Sequence, residues 1–400
     1  MIIRVCLFLF SLEAMALPLL SQASDIQTRS FSLQTSDGLK LQGRLDFPAG
    51  SHALPTIIIL QGAGPLNVDM ALLEPNNPGA TCRRGWKDDC RIDKQLAREL
   101  AKQGFAVVRL GKRGTWVDED NPNHLRVDYL ENSTSTISAR MNDLDLLLTK
   151  IQSFAEVDSE RLHLVGVSEG TIIAQRAMAI LGSRLKSMVL IGAVLGSGLD
   201  LYRTQIVDIA YDLLLQAADR NHDGLVARAE YDLEQLRMRP SDYDFFSPAF
   251  FRTIKDLERL GINPSFEFFD LDGDGHIVRS EVQYRVFHEI YSKVVAAVAD
   301  NDATALASLP DDDYSYNYNT LAQFAEWFSE PSRAQQLARS PVPVTILFGE
   351  ADLNTSPRQL DWFLPIVWSV PNSQVSWKTI VGEGHYGPRL AEETVTIFFP

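Results

Sequence analysis

Short, uninterrupted apolar runs alternate with helical segments over most of the chain, and this alternation constrains the fold more than any other feature. The apolar runs are residues 56–60, 105–110, 162–165, 188–191, 344–348 and 375–380. The segments with helical spacing are residues 96–103, 137–151, 171–181 and 360–368. Continuous β-branched runs are typical of strands buried on both faces of a parallel sheet. The alternation therefore predicts an α/β fold with a doubly wound, mostly parallel sheet.

Two further patterns define the organisation of the chain. Residues 31–34 and 39–47 alternate apolar and polar side chains around Ser36-Asp37-Gly38, which predicts a hairpin in front of the sheet. From Gly196 to Ser340 the β–α alternation stops, and the pattern is helical without a buried strand run. We predict a core made of residues 24–196 and 341–400, interrupted by a lid or cap at 197–340.

The N-terminus has the pattern of a cleaved signal peptide. Arg4 precedes two apolar stretches, and Ser21-Gln22-Ala23 supplies the small residues of a cleavage site. A membrane anchor and a buried helix are the alternatives, although Glu13 interrupts a stretch already short for spanning a bilayer. We predict a signal peptide at residues 1–23, a secreted or periplasmic protein, and no stable membrane insertion after cleavage.

Cysteine content and net charge narrow the environment and the partners. Removal of the signal peptide leaves Cys82 and Cys90, which we expect to form a disulfide in an oxidising compartment, the alternative being two free thiols. A net charge of −15 argues against nucleic acid and anionic membranes as partners, because both repel an acidic surface. The sequence leaves the oligomeric state open.

Two twelve-residue windows inside the predicted lid, 219–230 and 270–281, match the calcium loop of an EF-hand. Calcium takes six to eight oxygen ligands, which such a loop supplies from side chains, one backbone carbonyl and a final bidentate Glu. The first set of ligands is Asp219, Asn221, Asp223, the Leu225 carbonyl and Glu230. The second set is Asp270, Asp272, Asp274, the His276 carbonyl and Glu281. Gly224 and Gly275 occupy the position that requires a sharp turn. The alternative is a pair of acidic turns, but two matches in one segment favour two bound Ca²⁺ ions.

A Gly-x-Ser-x-Gly motif, Gly166 to Gly170, lies between the strand run 162–165 and the helical segment 171–181. In this context the motif predicts a sharp strand-to-helix turn that exposes the hydroxyl of Ser168 as a nucleophile. The alternative is a surface serine in an ordinary βα turn.

A serine nucleophile needs a base, and the base needs an orienting acid. In the fold that carries this turn, the chain order is Ser, acid, His. His385 is the only histidine beyond the last strand runs, and Asp352 follows the run 344–348, with Glu350 as the rival acid. We therefore predict the triad Ser168, Asp352 and His385. For the oxyanion hole we predict the N–H groups of Ala63, in the small-residue turn after the run 56–60, and of Glu169.

Residues 31–196 and 342–400 resemble α/β-hydrolases, in particular secreted esterases with Gly-x-Gly-Pro, Lys-Arg-Gly and Gly-x-Ser-Glu-Gly motifs. These motifs are residues 62–65, 112–114 and 166–170 here. Gln61 stands where these esterases often have His, and Gly111 where an Asp commonly precedes Lys-Arg-Gly. The segment 197–340 resembles an EF-hand pair in the usual lid position.

The residues and the resemblance together predict a calcium-binding serine hydrolase that acts on small-molecule carboxylic esters through an acyl-enzyme. A serine exopeptidase or acyltransferase on the same triad is one alternative. A non-catalytic calcium-binding protein on a hydrolase core is the other.

Overall fold

The computed structural model describes residues 25–71, 91–118, 120, 122, 125–238, 250–308 and 320–398. The predicted signal peptide, Cys82 and Cys90 lie outside these residues. Within the described residues no helix is both long and apolar enough to cross a membrane.

The strands, in chain order, are β1 (Ile26–Gln34), β2 (Lys40–Pro48), β3 (Leu54–Leu60), β4 (Ala106–Leu110), β5 (Thr115–Val117), β6 (Leu125–Val127), β7 (Val157–Val167), β8 (Leu185–Ile191), β9 (Val226–Ala227), β10 (His276–Ile277), β11 (Val344–Gly349) and β12 (Val375–Ile380).

The α-helices, in chain order, are α1 (Ile92–Lys102), α2 (Tyr129–Asn132), α3 (Ile137–Ile151), α4 (Glu169–Leu181), α5 (Gly198–Arg203), α6 (Ala210–Ala218), α7 (Leu233–Arg237), α8 (Phe250–Arg259), α9 (Phe266–Phe269), α10 (Arg279–Val286), α11 (Ser292–Ala299), α12 (Ala303–Ser308), α13 (Leu321–Ser329), α14 (Ala334–Ala338), α15 (Gln359–Ser369) and α16 (Pro388–Phe398). A 3₁₀ turn (Gly182–Arg184) follows α4, and π-helical turns (Thr204–Asp208 and Phe287–Tyr291) follow α5 and α10.

Eight strands form one sheet in the order β1-β2-β4-β3-β7-β8-β11-β12. The hairpin strands β1 and β2 pair antiparallel, and β2 also pairs antiparallel with β4. From β4 to β12 every neighbouring pair is parallel. The predicted doubly wound, mostly parallel sheet of an α/β-hydrolase fold is therefore confirmed. Because the carboxyl ends of parallel strands meet at one edge, the loops after β3, β7, β8, β11 and β12 open at the same edge of the sheet.

Helices cover both faces of the sheet because successive side chains of each strand point to opposite sides. Ile58 and Leu164 belong to an apolar cluster with α3, α4 and α15. Ile57 and Val165 belong to the cluster on the other face, with α1 and α16. Because these strands are buried on both faces, their sequences are continuous apolar runs rather than alternating apolar and polar residues.

Most of the described residues between β8 and β11 form helices around a separate apolar cluster, which includes Leu214, Phe269 and Val286. It contains the two-residue strands β9 and β10, which pair antiparallel and join the two predicted calcium loops. The boundaries predicted at 196/197 and 340/341 fall in the connections before α5 and after α14. The assignment of this segment as a lid domain stays a prediction.

Candidate active site and candidate calcium sites

Ser168 occupies a sharp turn between β7 and α4. Its backbone has φ 53° and ψ −122°, a conformation that costs an L-residue free energy and that the surrounding structure must enforce. The Ser168 N–H donates to the carbonyl of Ile191 at 2.9 Å, and the Ser168 carbonyl accepts the N–H of Thr171 at 2.8 Å. These bonds hold the turn and leave the half-buried hydroxyl at the edge where the strands end.

The two glycines that flank Ser168 are required by close packing. A Cβ on Gly166 would lie 2.8 Å from the carbonyl oxygen of Gly170. A Cβ on Gly170 would clash with the backbone carbonyl of Leu60, the last residue of β3. The turn can therefore press against both β3 and the start of α4 only because neither position carries a side chain.

Asp352 and His385 come together in the loops after β11 and β12. His385 Nδ1 donates to Asp352 Oδ2 at 2.9 Å, and the side chains are 5% and 0% exposed. Burial raises the pKa of Asp352, but the charge and hydrogen bond of His385 and the donors of Thr355 lower it more, so this pKa lies below its ordinary value. The rival acid Glu350 is exposed and accepts the N–H of Gly382 at 3.0 Å. The geometry thus favours Asp352 as the partner of His385.

Thr355 also contacts this pair, a role that no sequence pattern predicted. Its Oγ1 donates to Asp352 Oδ2 at 2.8 Å and lies 3.2 Å from His385 Nδ1. Asp352 Oδ1 accepts the backbone N–H groups of Asn354 and Thr355, each at 2.9 Å. The carboxylate is therefore fixed by three donors besides His385, which orients it toward the imidazole.

The end of β8 brings the nucleophile candidate close to the base candidate. Ile191 accepts the N–H of Ser168. A Cβ on the next residue, Gly192, would lie 2.9 Å from His385 Cε1 and 2.8 Å from Thr355 Oγ1. Ser168 and His385 therefore contact consecutive residues of the same strand end.

The predicted oxyanion loop runs directly past Ser168. A Cβ on Gly62 would lie 3.1 Å from Ser168 Cβ and 3.7 Å from Ser168 Oγ. Ala63 is the next residue of this loop, and Glu169 is the first residue of α4. The first N–H groups of a helix lack intrahelical acceptors and point outward, so Glu169 N–H is available to an oxyanion at this edge.

The side chain of Glu169 is buried in a cluster that the sequence did not predict. Trp327 Nε1 donates to Glu169 Oε2 at 2.7 Å, and Lys112 Nζ lies 3.3 Å from Glu169 Oε1, which also accepts from Arg140. Burial raises the pKa of Glu169, but the charges of Lys112 and Arg140 outweigh this and hold the pKa below its ordinary value. Lys112 belongs to the Lys-Arg-Gly motif at residues 112–114. That motif did not predict that Lys112 would pair with Glu169.

The side chain of Gln61 is buried beneath the predicted oxyanion loop and is held by two hydrogen bonds. Its Nε2 donates to Asp93 Oδ2 at 2.8 Å and to the carbonyl of Asn67 at 2.7 Å. Tyr386, the neighbour of His385, donates its hydroxyl to Asp93 Oδ1 at 3.4 Å. Asp93 thus connects the oxyanion loop to the loop of His385. Burial raises the pKa of Asp93 to about 6.

The first residue and the glycine of each predicted calcium loop have the same arrangement. Asp219 Oδ2 accepts the N–H of Gly224 at 3.0 Å, and Asp270 Oδ2 accepts the N–H of Gly275 at 3.2 Å. The glycines have φ of +83° and +89°, which only glycine adopts without strain. The loops therefore turn where the calcium-loop pattern requires it.

The last residue of each loop folds back over the loop. Glu230 accepts backbone N–H groups from Asn221 at 3.3 Å and Ala227 at 3.0 Å. Glu281 accepts from Leu271 at 2.6 Å and Val278 at 2.9 Å. Both carboxylates thus lie beside the ligand residues that precede them in the loop.

The donor set of both loops suits a hard cation. Asp219 Oδ1 is buried and has no hydrogen-bond partner among the described residues. Oxygens of Asp270, Asp272 and Asp274 lie within 4.8 Å of one another. A buried carboxylate oxygen without a donor costs free energy, and oxygen ligands are those that Ca²⁺ prefers.

The two loops are coupled to each other. Val226 pairs with Ile277, and Ala227 pairs with His276, in the two-residue ladder of β9 and β10. The Tyr211 hydroxyl donates to the carbonyl of Gly224 at 2.7 Å and lies 3.2 Å from the carbonyl of Ile277. The predicted ligand carbonyls of Leu225 and His276 therefore lie at the β9–β10 ladder that the two loops share. The predicted side-chain ligands Asn221 and Asp223 precede β9 in the first loop.

No family model and no curated protein sequence matches this chain. Among solved structures, a hydrolase from Pseudomonas aeruginosa is 17% identical with a TM-score of 0.46, over 93% of this chain and 99% of that one. A thermophilic esterase from Thermogutta terrifontis is 14% identical with a TM-score of 0.44, over 92% and 96%. A dipeptidyl aminopeptidase IV candidate from Bacteroides ovatus is 13% identical with a TM-score of 0.44; 94% of this chain matches only 35% of that longer protein. At these identities the likeness is one of fold.

Proposed function

We propose that the chain is a serine hydrolase that cleaves small-molecule carboxylic esters with Ser168, His385 and Asp352. The observation that carries the proposal is the strained backbone of Ser168 beside the end of β8, where Gly192 lies against His385, the partner of the buried Asp352. A strained serine on a strand-to-helix turn exposes its hydroxyl, and an imidazole oriented by a carboxylate can accept the proton.

We propose an acylation step that uses these three side chains. Ser168 Oγ attacks the ester carbonyl carbon while His385 Nε2 takes the hydroxyl proton. Asp352 stays ionised and stabilises the imidazolium through Nδ1, in keeping with its lowered pKa. The N–H groups of Ala63 and Glu169 stabilise the negative oxygen of the tetrahedral intermediate. Collapse breaks the bond to the alcohol, which leaves with the proton from His385.

Deacylation repeats these steps with water. His385 removes a proton from water, the hydroxide attacks the acyl carbon, and the carboxylic acid leaves as Ser168 Oγ recovers a proton from the imidazolium. No step requires another side chain to change its charge.

We also propose that the two loops bind one Ca²⁺ each, through Asp219, Asn221, Asp223, Leu225 and Glu230 and through Asp270, Asp272, Asp274, His276 and Glu281. The buried, unpartnered Oδ1 of Asp219 and the converging carboxylates of the second loop support this proposal. Bound calcium would neutralise these carboxylates and hold the helices that frame the loops. For the whole chain we propose export to a secreted or periplasmic location, where millimolar calcium would fill even weak sites.

The test is hydrolysis of p-nitrophenyl esters of graded chain length by the wild type and by Ser168→Ala. We expect the substitution to lower kcat at least ~10⁴-fold without unfolding the chain, because the triad hydroxyl is lost while the backbone turn remains. A fluorophosphonate probe should label the wild type and not Ser168→Ala. Turnover retained by purified Ser168→Ala would overturn the assignment.

The same samples separate the alternative functions. Aminoacyl p-nitroanilides report an exopeptidase, and an added alcohol acceptor reports an acyltransferase, both on the same labelled serine. A wild type that neither labels nor turns over any of these substrates, yet binds calcium, would be the non-catalytic protein.

A further inference from the structure

A tryptophan from the inserted helical segment contacts the residue that follows the proposed nucleophile. Trp327 lies in α13, and its indole N–H donates to Glu169 Oε2 at 2.7 Å. Lys112 and Arg140 bind the other oxygen of this carboxylate. Glu169 is 6% exposed, so water contributes little to its solvation and these three donors carry most of it.

The Glu169 cluster joins the two segments that supply the proposed oxyanion donors. Glu169 begins α4 and contributes one donor through its own backbone N–H. Arg140, which binds the Glu169 carboxylate, also donates through Nη2 to the carbonyl of Gln61 at 2.5 Å. Gln61 immediately precedes Gly62, which lies against Ser168. The distance between the two oxyanion donors therefore depends on how this carboxylate and Arg140 are held.

Helix α13 is itself fixed to the core, so its tryptophan is not free to move. Glu326 accepts the N–H of Ser138 at 2.9 Å, and Gln323 Nε2 lies 3.4 Å from the carbonyl of Asn132. On its other side, a Cβ on Gly198 would clash with the carbonyl of Trp327. The core therefore sets where the indole N–H points.

The chemistry of this contact distinguishes it from packing alone. An indole ring could cover Glu169 without a hydrogen bond, but here the single N–H donor of the ring meets a buried carboxylate oxygen. Hydrogen bonds to buried charged groups are directional and stronger than neutral ones. Removal of the indole N–H would take away the hydrogen bond that Trp327 donates to Glu169 Oε2. The carboxylate could then shift toward Lys112 and Arg140.

We propose that Trp327 is a positioning residue that aligns the two oxyanion donors through Glu169 and Arg140. This inference rests on the proposed hydrolase function. It makes the inserted segment a structural part of the active site, because a residue of α13 sets the geometry of the residue after Ser168. Trp327 acts on the oxyanion rather than on the leaving group, so its effect is independent of the size of the alcohol.

The test compares Trp327→Phe, which keeps an aromatic ring but removes the donor, with Trp368→Phe, the same change at a side chain that is 69% exposed. We expect Trp327→Phe to lower kcat roughly tenfold, as for a loss of about 1.4 kcal/mol in the transition state. KM should change less than about twofold. The rate of fluorophosphonate labelling should fall by about the same factor as kcat. Trp368→Phe should match the wild type in all three.

A double-mutant cycle with Glu169→Gln shows whether Trp327 acts through the carboxylate. In the Glu169→Gln background, Trp327→Phe should add less than about a twofold loss, because the charged acceptor is already gone. The melting temperature of every variant verifies that it is folded. If Trp327→Phe matches Trp368→Phe, or changes only KM, or loses the same factor in the Glu169→Gln background, the positioning proposal is wrong although the hydrolase proposal stands. A wild type that neither labels nor hydrolyses esters would overturn both.

Discussion

At the scale of single residues, the most unusual group of the active-site region is Lys112. Its side chain is 5% exposed, and it shares the carboxylate of Glu169 with Arg140, so two cations meet one anion. Burial lowers the pKa of Lys112, the charge of Arg140 lowers it further, and Glu169 opposes both, which leaves the pKa at about 7. The next residue, Arg113, points elsewhere and pairs with Asp143 at 2.8 Å.

This lowered pKa makes the stability of the protein depend on pH above neutrality. The unfolded chain keeps the Lys112 proton up to pH ~10.4, whereas the folded protein releases it near its pKa of about 7. The unfolded state thus binds more protons between these values, and the free energy of unfolding should rise from pH 7 to pH 9. The contribution of one group is at most ~1.4 kcal/mol per pH unit.

Urea unfolding at pH 7, 8 and 9 measures this contribution in the wild type, in Lys112→Met and in Lys102→Met. Lys102 is an exposed lysine, so its substitution should leave the pH dependence of the wild type intact. Lys112→Met should lose the rise. An equal rise in Lys112→Met and wild type would show that Lys112 keeps an ordinary pKa.

The residues of the candidate site differ in how far sequence could identify them. Ser168 and His385 follow from a motif and from chain order, and Asp352 from its place after a strand run. Trp327 carried no signal, because its partner Glu169 lies 158 positions away in the sequence. Thr355 lies three positions after Asp352, but its contact with His385, 30 positions away, forms only in the folded chain. A hydrogen bond between distant side chains leaves no local pattern in one sequence.

At the scale of secondary-structure elements, the apolar runs located the strands, while polar and β-branched residues obscured some boundaries. Strand β7 begins at Val157, five positions before the apolar run, because exposed Glu160 and Arg161 interrupt the pattern. Helix α16 was not predicted at all. Its second half, Thr394 to Phe398, is rich in β-branched residues that favour strands, and burial of Leu390 and Ala391 in the cluster with α1 overrides that preference.

The connection between β3 and α1 contains the predicted disulfide, and the structure describes the ends of the connection. Ala71 and Arg91 form an antiparallel bridge, and Ile92 N–H donates to the carbonyl of Met70 at 3.4 Å. The two ends of the segment that carries Cys82 and Cys90 therefore lie side by side.

We expect the exported protein to show no thiol to an alkylating reagent in denaturant until it is reduced, as mass measurement would reveal. Because the bridge between Cys82 and Cys90 would close a short loop, Cys82→Ser with Cys90→Ser should cost less than ~3 kcal/mol of unfolding free energy. A disulfide predicts that the double variant unfolds at a lower urea concentration than the oxidised wild type. It also predicts that reductant lowers the urea midpoint of the wild type by the same amount. Two cysteines alkylated before reduction would exclude it.

At the scale of the whole molecule, two of the described contacts join the segment with the calcium loops to residues near the proposed triad. One is Trp327 on Glu169. The other is the loop of the proposed acid, where Gln205 Nε2 donates to the carbonyl of Asn354 at 2.8 Å. Asp212 of α6 also joins Arg279, inside the second calcium loop, to Arg358 of the core. Changes in the calcium loops can therefore reach both the oxyanion side and the Asp352 side of the site through packed elements.

Calcium should act on this arrangement as a clamp. Without metal the loop carboxylates repel one another, and the helices that frame the loops should loosen. Binding that favours the folded state stabilises it by mass action, by about 2.7 kcal/mol at a calcium concentration 100 times Kd. EGTA should therefore lower the melting temperature. It should also raise KM for bulky esters more than for acetate esters, because a loosened segment disturbs the wall of the substrate site more than the triad.

The double substitution Glu230→Gln and Glu281→Gln tests whether the loops carry this effect. Each change weakens a bidentate carboxylate, so the variant in millimolar calcium should resemble the wild type in EGTA in melting temperature and in bulky-ester KM. Glu289→Gln, on the π-helical turn after α10 and outside both loops, is the control that should keep the wild-type response. Direct calcium titration by calorimetry, which needs no catalysis, should show two sites in the wild type and at least tenfold weaker binding in the double variant. A double variant that equals the wild type in melting temperature and bulky-ester KM, in calcium and in EGTA alike, would contradict the clamp.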